Sequence, residues 1–190
     1  MNYHQHAIFA TKIELYDESY KDAPDPHDIA LLTLKKPVKF NDYVSTICLP
    51  DKSFPKHFDN LIVAGWGITS LTDSFSKTLK TSDDLKQSDQ FCSEIYPATT
   101  FNEDIFMCAK SVNNVCFGDS GGPLMTRKRG SIYVVGIGSF SKQCDYSYPP
   151  VFTRVTYYLD WIRAKTIPGA QKCPLYSGTR NPPKRKLRYG

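Results

Sequence analysis

The run Gly118-Asp119-Ser120-Gly121-Gly122-Pro123 holds the residues of this chain best suited to chemistry. A serine becomes a nucleophile when a base takes its proton and donors stabilise the oxyanion that forms. Flanking glycines let the backbone turn sharply and bring N–H groups close to a substrate carbonyl. Read alone, the run also fits a tight turn capped by Asp119. A second chemistry-bearing residue is Asp28, in His27-Asp28-Ile29-Ala30-Leu31-Leu32. An acid at the mouth of an apolar strand has to be paired, as an acid that orients a catalytic histidine would be. The plainer alternative is a loop-end aspartate capping backbone N–H groups.

Elements that could position these groups follow from pattern. Ala7–Leu15, Asp28–Leu34, Leu61–Trp66, Ile105–Cys108, Ser131–Phe140 and Val151–Val155 read as short strands rich in apolar and β-branched residues. Tyr16–His27 and Thr69–Gln90 are polar and read as loops, and Lys35–Asn60, with its prolines, reads as a long connector. Tyr158, Trp161 and Ile162 stand at helical spacing, so a short helix is expected over Tyr157–Lys165. From Pro168 onward the composition turns to proline, glycine and basic residues, and order is expected to fade. Many short strands with long turns and one terminal helix indicate an all-β barrel architecture.

Composition bounds the partners. The chain has 190 residues, 41% hydrophobic, enough for a packed core. Its formal charge is +5, but residues 171–190 hold six basic side chains and no acid. The body is therefore close to neutral, with no electrostatic bias toward nucleic acid or membrane surfaces. The basic end reads as a solvated tail. No apolar run approaches the roughly 18 residues of a membrane span, and no basic-then-apolar leader opens the sequence. Six cysteines without any C-x₂₋₄-C pair point to disulfides in an oxidising compartment rather than to zinc, so neither metal nor cofactor is expected.

Further motifs accompany the serine and the acid: Ala64-Gly65-Trp66-Gly67, Val134 with Gly136-Ile137-Gly138-Ser139-Phe140, and Pro150-Val151-Phe152-Thr153-Arg154-Val155. In order and approximate spacing, from about Ala7 to Ile167, they resemble the chymotrypsin/trypsin-like serine proteases. The resemblance implies a chymotrypsin-like double β-barrel with an incomplete first barrel, a complete second barrel and a short C-terminal helix. Residues 1–167 would be the peptidase domain: 1–35 a remnant of the first barrel, 36–60 the interdomain linker, 61–167 the second barrel and helix, with 168–190 the tail. Ser120 would be the nucleophile and Asp28 the triad acid. The backbone N–H groups of Gly118 and Ser120 would form the oxyanion hole, and Asp119 would be the acid linked to activation. Asn114, Val115, Phe117, Ser139, Phe140, Ser141 and Pro150 would line the substrate pocket, with Ser139 beside the triad acid. Cys92–Cys108 and Cys116–Cys144 match two family disulfides. A third family bridge is absent at both ends, where Leu61 and Thr126 stand. Cys48 stays open between a bond to Cys173, a free thiol and a lost partner.

The chain also departs from the family pattern. The family's general-base histidine lies several tens of residues before the acid, between alanines and a cysteine. His4, His6, His27 and His57 all lack that setting, and His27 adjoins Asp28, so the two side chains should point apart. The activating Ile-Val-Gly-Gly-like terminus is not present either. Without its ammonium, Asp119 is expected to be a buried acid seeking compensation and the oxyanion hole to be zymogen-like. Asn114 replaces the aspartate of trypsin-like pockets and cannot neutralise Lys or Arg, while Ser141 and Pro150 should narrow the pocket. The expectation is a secreted serine endopeptidase, monomeric and acting on protein or peptide, here in a truncated form inactive alone. The rivals are a non-catalytic homologue acting as a binding or regulatory module, and an unrelated β-domain binding protein.

Overall fold

The structure, a computed structural model, describes residues 7–22, 24–41, 43–68, 74–110, 117–142 and 147–166. Two antiparallel units are present. Strands β1 (Ala10–Leu15) and β2 (Ala30–Leu34) form a two-stranded sheet in the register Ile13↔Leu32. Strands β3 (Leu61–Gly65), β4 (Lys80–Gln87), β5 (Phe106–Lys110), β6 (Pro123–Lys128), β7 (Ser131–Phe140) and β8 (Val151–Arg154) close into a barrel of order β3-β4-β5-β8-β7-β6. A seven-residue helix α1 (Asp89–Ile95) joins β4 to β5. After β8 a 3₁₀ turn (Val155–Tyr158) leads into α2 (Leu159–Lys165). The fold is thus mostly β, with one closed barrel, one incomplete sheet and a short C-terminal helix.

The barrel forms because its strands aim apolar residues at one interior. Leu61, Leu85, Met107, Leu124, Val135 and Phe152 are nearly or wholly buried there. Along β6 the alternation puts Leu124 and Thr126 inside. All four residues of β8 are buried, as expected of a strand covered on both faces. A second cluster packs Phe101, Ile105, Phe106 and Val151 around the disulfide Cys92–Cys108, which pins α1 to β5. A third packs Ile29, just before β2, against Val155, Tyr158, Leu159 and Ile162. This cluster docks the C-terminal helix at the junction of sheet and barrel.

Four elements differ from the sequence expectation. β4 lies within the stretch read as a loop, because only Leu85 of its eight residues is buried; pairing with β3 and β5, not its own composition, makes it a strand. Neither α1 nor β6 carries a pattern long enough to be seen. The expected helix over Tyr157–Lys165 is divided between the 3₁₀ turn and α2.

The register Ile62↔Met125 sets Leu61 next to Thr126. Leu61 is fully buried in the barrel core, and the Thr126 hydroxyl donates to the Asn60 carbonyl at 3.0 Å. Packing and one hydrogen bond occupy the place of the missing family bridge. Cys48 is disulfide-bonded, which removes the free-thiol reading. Cys116, Cys144 and Cys173 lie outside the described residues, as do the pairings proposed for them.

A polar cluster beside α1 was not legible in the sequence. Arg154, at the end of β8, forms an ion pair with Asp89 at 2.6 Å, with both side chains almost completely buried. Arg154 also donates to the carbonyls of Lys56, Glu103 and Phe106. Asp89 accepts from the Cys108 amide and from Gln87 Nε2. The pair thereby ties the connector, α1, β5 and β8 together.

Candidate active site

The Gly118–Pro123 turn leads into β6 and is anchored by backbone bonds. Gly121 N–H donates to the Gly138 carbonyl at 2.8 Å, Gly138 N–H to Gly122 at 2.8 Å, and Gly122 N–H to Asp119 at 2.9 Å. β7 is therefore the template against which the turn is shaped. Gly118 sits at φ +93°, and a Cβ there would collide with the Phe75 ring, so both backbone and space demand glycine. Ser120 emerges exposed at the tip.

Asp119 is half-buried rather than buried, and it finds compensation in the Gly67 N–H, which it accepts at 2.8 Å. Its carboxylate fills the space that side chains at positions 65 and 67 would take, which accounts for the two glycines of Ala64-Gly65-Trp66-Gly67.

Asp28 is also half-buried, in the loop before β2. Its carboxylate accepts from the Ser139 hydroxyl at 2.7 Å, and its backbone carbonyl accepts from the Thr153 hydroxyl at 2.7 Å. One residue is thus clipped to both β7 and β8. Ser139, in turn, lines a cavity of about 180 Å³ together with Ser120, Phe117, Phe140, Ser141 and Pro150. Gly138, Val151 and Phe152 complete its described wall, and these three were not anticipated. Asn114 and Val115 lie outside the described residues.

These observations have a counterpart in known proteins. A family model described as Trypsin matches residues 4–162. The chain belongs to the trypsin family. It is similar to an ovochymase of Halocynthia roretzi (34% identical over 161 residues, covering 80% of this chain and 10% of that protein). It is also similar to a proclotting enzyme of Tachypleus tridentatus (33% over 172 residues, 85% and 42%) and to trypsin-1 of Astacus astacus (35% over 167 residues, 86% and 69%). The chain spans less than half the length of the first two.

Within this trypsin-family frame, neither described histidine lines the cavity beside Ser120. His27 takes a left-handed backbone, φ +67°. Its Nδ1 is hydrogen-bonded to the Tyr158 hydroxyl at 3.0 Å, and the ring lies among Tyr16, Tyr157 and Tyr158. Burial, above all, pushes the Tyr158 phenol far above its ordinary range. His57 lines a different groove, between Phe54 and Phe58. His4 and His6 are outside the described residues.

A residue the sequence reading missed faces Asp28. The Tyr20 phenol lies close enough to the Asp28 carboxylate to feel its charge. The Tyr20 backbone N–H is held by Asp17, whose own carboxylate is bonded to Ser19. Burial first, then the charge of Asp28, push the Tyr20 phenol up to about 12. An unfolded tyrosine ionises near 10. The folded state therefore keeps a proton that the unfolded state loses, and this contribution to stability falls as pH rises from 10 toward 12. Asp28→Asn should lower the Tyr20 midpoint while leaving it above the free value, since burial is the larger cause. Ultraviolet titration, with Tyr20→Phe as the reference that identifies the signal, reads this out; an unchanged midpoint would remove Asp28 as a cause.

Proposed function

We propose that this chain is the part of a serine endopeptidase that carries its nucleophile, Ser120, and its triad acid, Asp28, and that it does not turn over peptides alone. The observation that carries the reading is the connected set Ser120–cavity–Ser139–Asp28 in a trypsin-family chain. An exposed serine on a glycine-shaped turn fits a nucleophile. The Gly118 and Ser120 amides are the donors available for an oxyanion. An acid clipped by Ser139 and Thr153 is held as orienting an imidazole requires whenever the sheet is docked. Asp119, bonded to Gly67, would be the acid that responds to an activating ammonium.

The cavity beside Ser120 would receive the side chain preceding the scissile bond. Its described lining contains no acid: Phe117, Phe140, Pro150, Val151 and Phe152 supply apolar walls beside Ser120, Ser139 and Ser141, and it is small. With Asn114 at the position that takes aspartate in trypsin-like pockets, a restricted or apolar preference follows rather than Lys or Arg. The substrate would be protein or peptide.

Inactivity of the chain alone rests on the base. Neither described histidine lines the cavity beside Ser120, and a triad without its histidine loses several orders of magnitude in rate. The imidazole would come from sequence preceding this segment in a longer form. The two-stranded sheet fits such an arrangement, because Phe9, Ile13 and Leu32 leave most of their surface in solvent. The Cys92–Cys108 bond supports an oxidising, extracellular setting.

A second reading is a non-catalytic homologue that binds without cleaving. It is favoured by Tyr20, whose partly buried phenol stands near the Asp28 carboxylate, where an orienting acid would face an imidazole. One experiment separates the two. The purified chain and a form extended by its upstream coding sequence are each assayed on a peptide ester. The enzyme reading expects turnover only in the extended form, lost in Ser120→Ala. No turnover in either form supports the binding module. Turnover by the 190-residue chain alone, abolished by Ser120→Ala, overturns the claim of inactivity.

A further inference from the structure

Arg127, Lys128 and Arg129 follow one another at the end of the β6–β7 hairpin. Among the described residues, none of the three has an ion-pair partner, whereas neighbouring Lys52 and Lys56 are held by Asp160 at 2.8 Å and Asp104 at 3.1 Å. Lys128 Nζ lies 3.9 Å above the Phe54 ring, and its charge acts on the Asp51 carboxylate from beyond ion-pair distance. Beside the hairpin is a groove of about 300 Å³, with Phe54, His57, Phe58 and Asp59 on one side and Arg127 and Lys128 on the other. Its floor is aromatic: the Phe54 ring is 4.7 Å from Tyr133 and 6.5 Å from Phe58.

The turn itself adds an independent observation. Lys128 pairs with Ser131, so Arg129 and Gly130 form a two-residue turn, both left-handed at φ +51° and +80°. Asn or Gly is the usual first residue of such a turn, because a longer side chain is disfavoured there. An arginine is kept at this position against the backbone's preference. Strain held in place is a pointer to function, here for the charge.

We propose that this groove docks an acidic peptide segment that also carries an apolar or aromatic side chain. Its carboxylates would meet Arg127, Lys128 and Arg129, the guanidinium groups offering paired donors. Its apolar side chain would rest on Phe54 and Phe58. The aromatic floor and the Asp59 carboxylate favour such a peptide over a sulfated glycan, which is a continuous polyanion with hydroxyl-covered rings. The groove shares no lining residue with the cavity beside Ser120, so the docking surface is separate from the proposed cleavage site.

The test uses the full chain and a fluorescein-labelled peptide of glutamates flanking one phenylalanine, followed by anisotropy. Saturable, salt-sensitive binding is expected, about tenfold weaker after Arg127→Gln with Lys128→Gln, in line with the loss of two charge pairs. Peptides with glutamine for glutamate, or alanine for phenylalanine, should bind more weakly. Neutralising the tail with Lys184→Gln, Arg185→Gln and Lys186→Gln should change little. Arg129→Asn should raise the thermal midpoint by relieving the turn and yet weaken binding, a combination that damage to the fold would not produce. The proposal is overturned if no saturable binding occurs, if the tail rather than the hairpin carries it, or if a sulfated oligosaccharide binds the hairpin and the peptide does not.

Discussion

Arg154→Ala is expected to destabilise the fold by about 3–5 kcal/mol, the usual consequence of leaving one partner of a buried ion pair uncompensated. Asp89 would remain with its carboxylate almost fully enclosed, retaining only the Cys108 amide and Gln87 as donors. The carbonyls of Lys56, Glu103 and Phe106 would lose their guanidinium donor at the same moment. Urea unfolding of the intact-disulfide protein measures the loss. Asp89→Leu combined with Arg154→Met should be less damaging than the sum of the single changes, because no charge is then stranded. It should not restore full stability, since the guanidinium bonds to the Glu103 and Phe106 carbonyls are lost, while the Lys56 carbonyl keeps Gln87 Nε2 as a donor. A loss below about 1 kcal/mol for Arg154→Ala, the range of exposed pairs, would show that water reaches the pair.

Phe152→Ala should rank next, at about 3–5 kcal/mol. Phe152 is 1% exposed and belongs to the barrel core, yet it also forms part of the wall of the cavity beside Ser120. The neighbouring strand contributes Gly136, whose missing side chain makes room for the Phe152 Cβ. Truncation therefore opens the core into the cavity rather than leaving a sealed void. The variant should gain affinity for a small apolar ligand such as benzene, seen as a rise in its thermal midpoint that the parent does not show. Phe152→Leu, which retains more of the packing, should lose clearly less. Equal losses for the two variants would mean that ring packing is not what holds the barrel here.

How much was readable in advance varied with how each element is stabilised. β7 matches its expected span, Ser131–Phe140, because a long apolar run with β-branched residues announces itself. β4 does not, because a strand with one inward residue is made by its neighbours. Motif order gave the family, and with it the expectation that Ser139 lies beside Asp28; no local pattern links residues 111 positions apart. Arg154 did leave a signal, a cation inside the buried strand Val-Phe-Thr-Arg, which must find a partner. The identity of that partner, Asp89, depends on how β8 and α1 meet in space and was not recoverable from either segment. Tyr20 stayed hidden for a similar reason, since a tyrosine in a polar loop looks like surface until the loop is folded over the acid.

The clip that Ser139 and Thr153 place on Asp28 has a thermodynamic side. Two strands alone are at best marginally stable in water, so the β1–β2 sheet borrows its order from the barrel, through this clip and the packing of Ile29 on the C-terminal helix. The correct placement of Asp28 is then an opening equilibrium rather than a fixed coordinate. Its population is set by how firmly the sheet stays docked, and the sheet can detach at a lower free energy than the barrel unfolds. Anything that covers the sheet would raise the fraction of molecules in which Asp28 is in place, without touching a residue of the site.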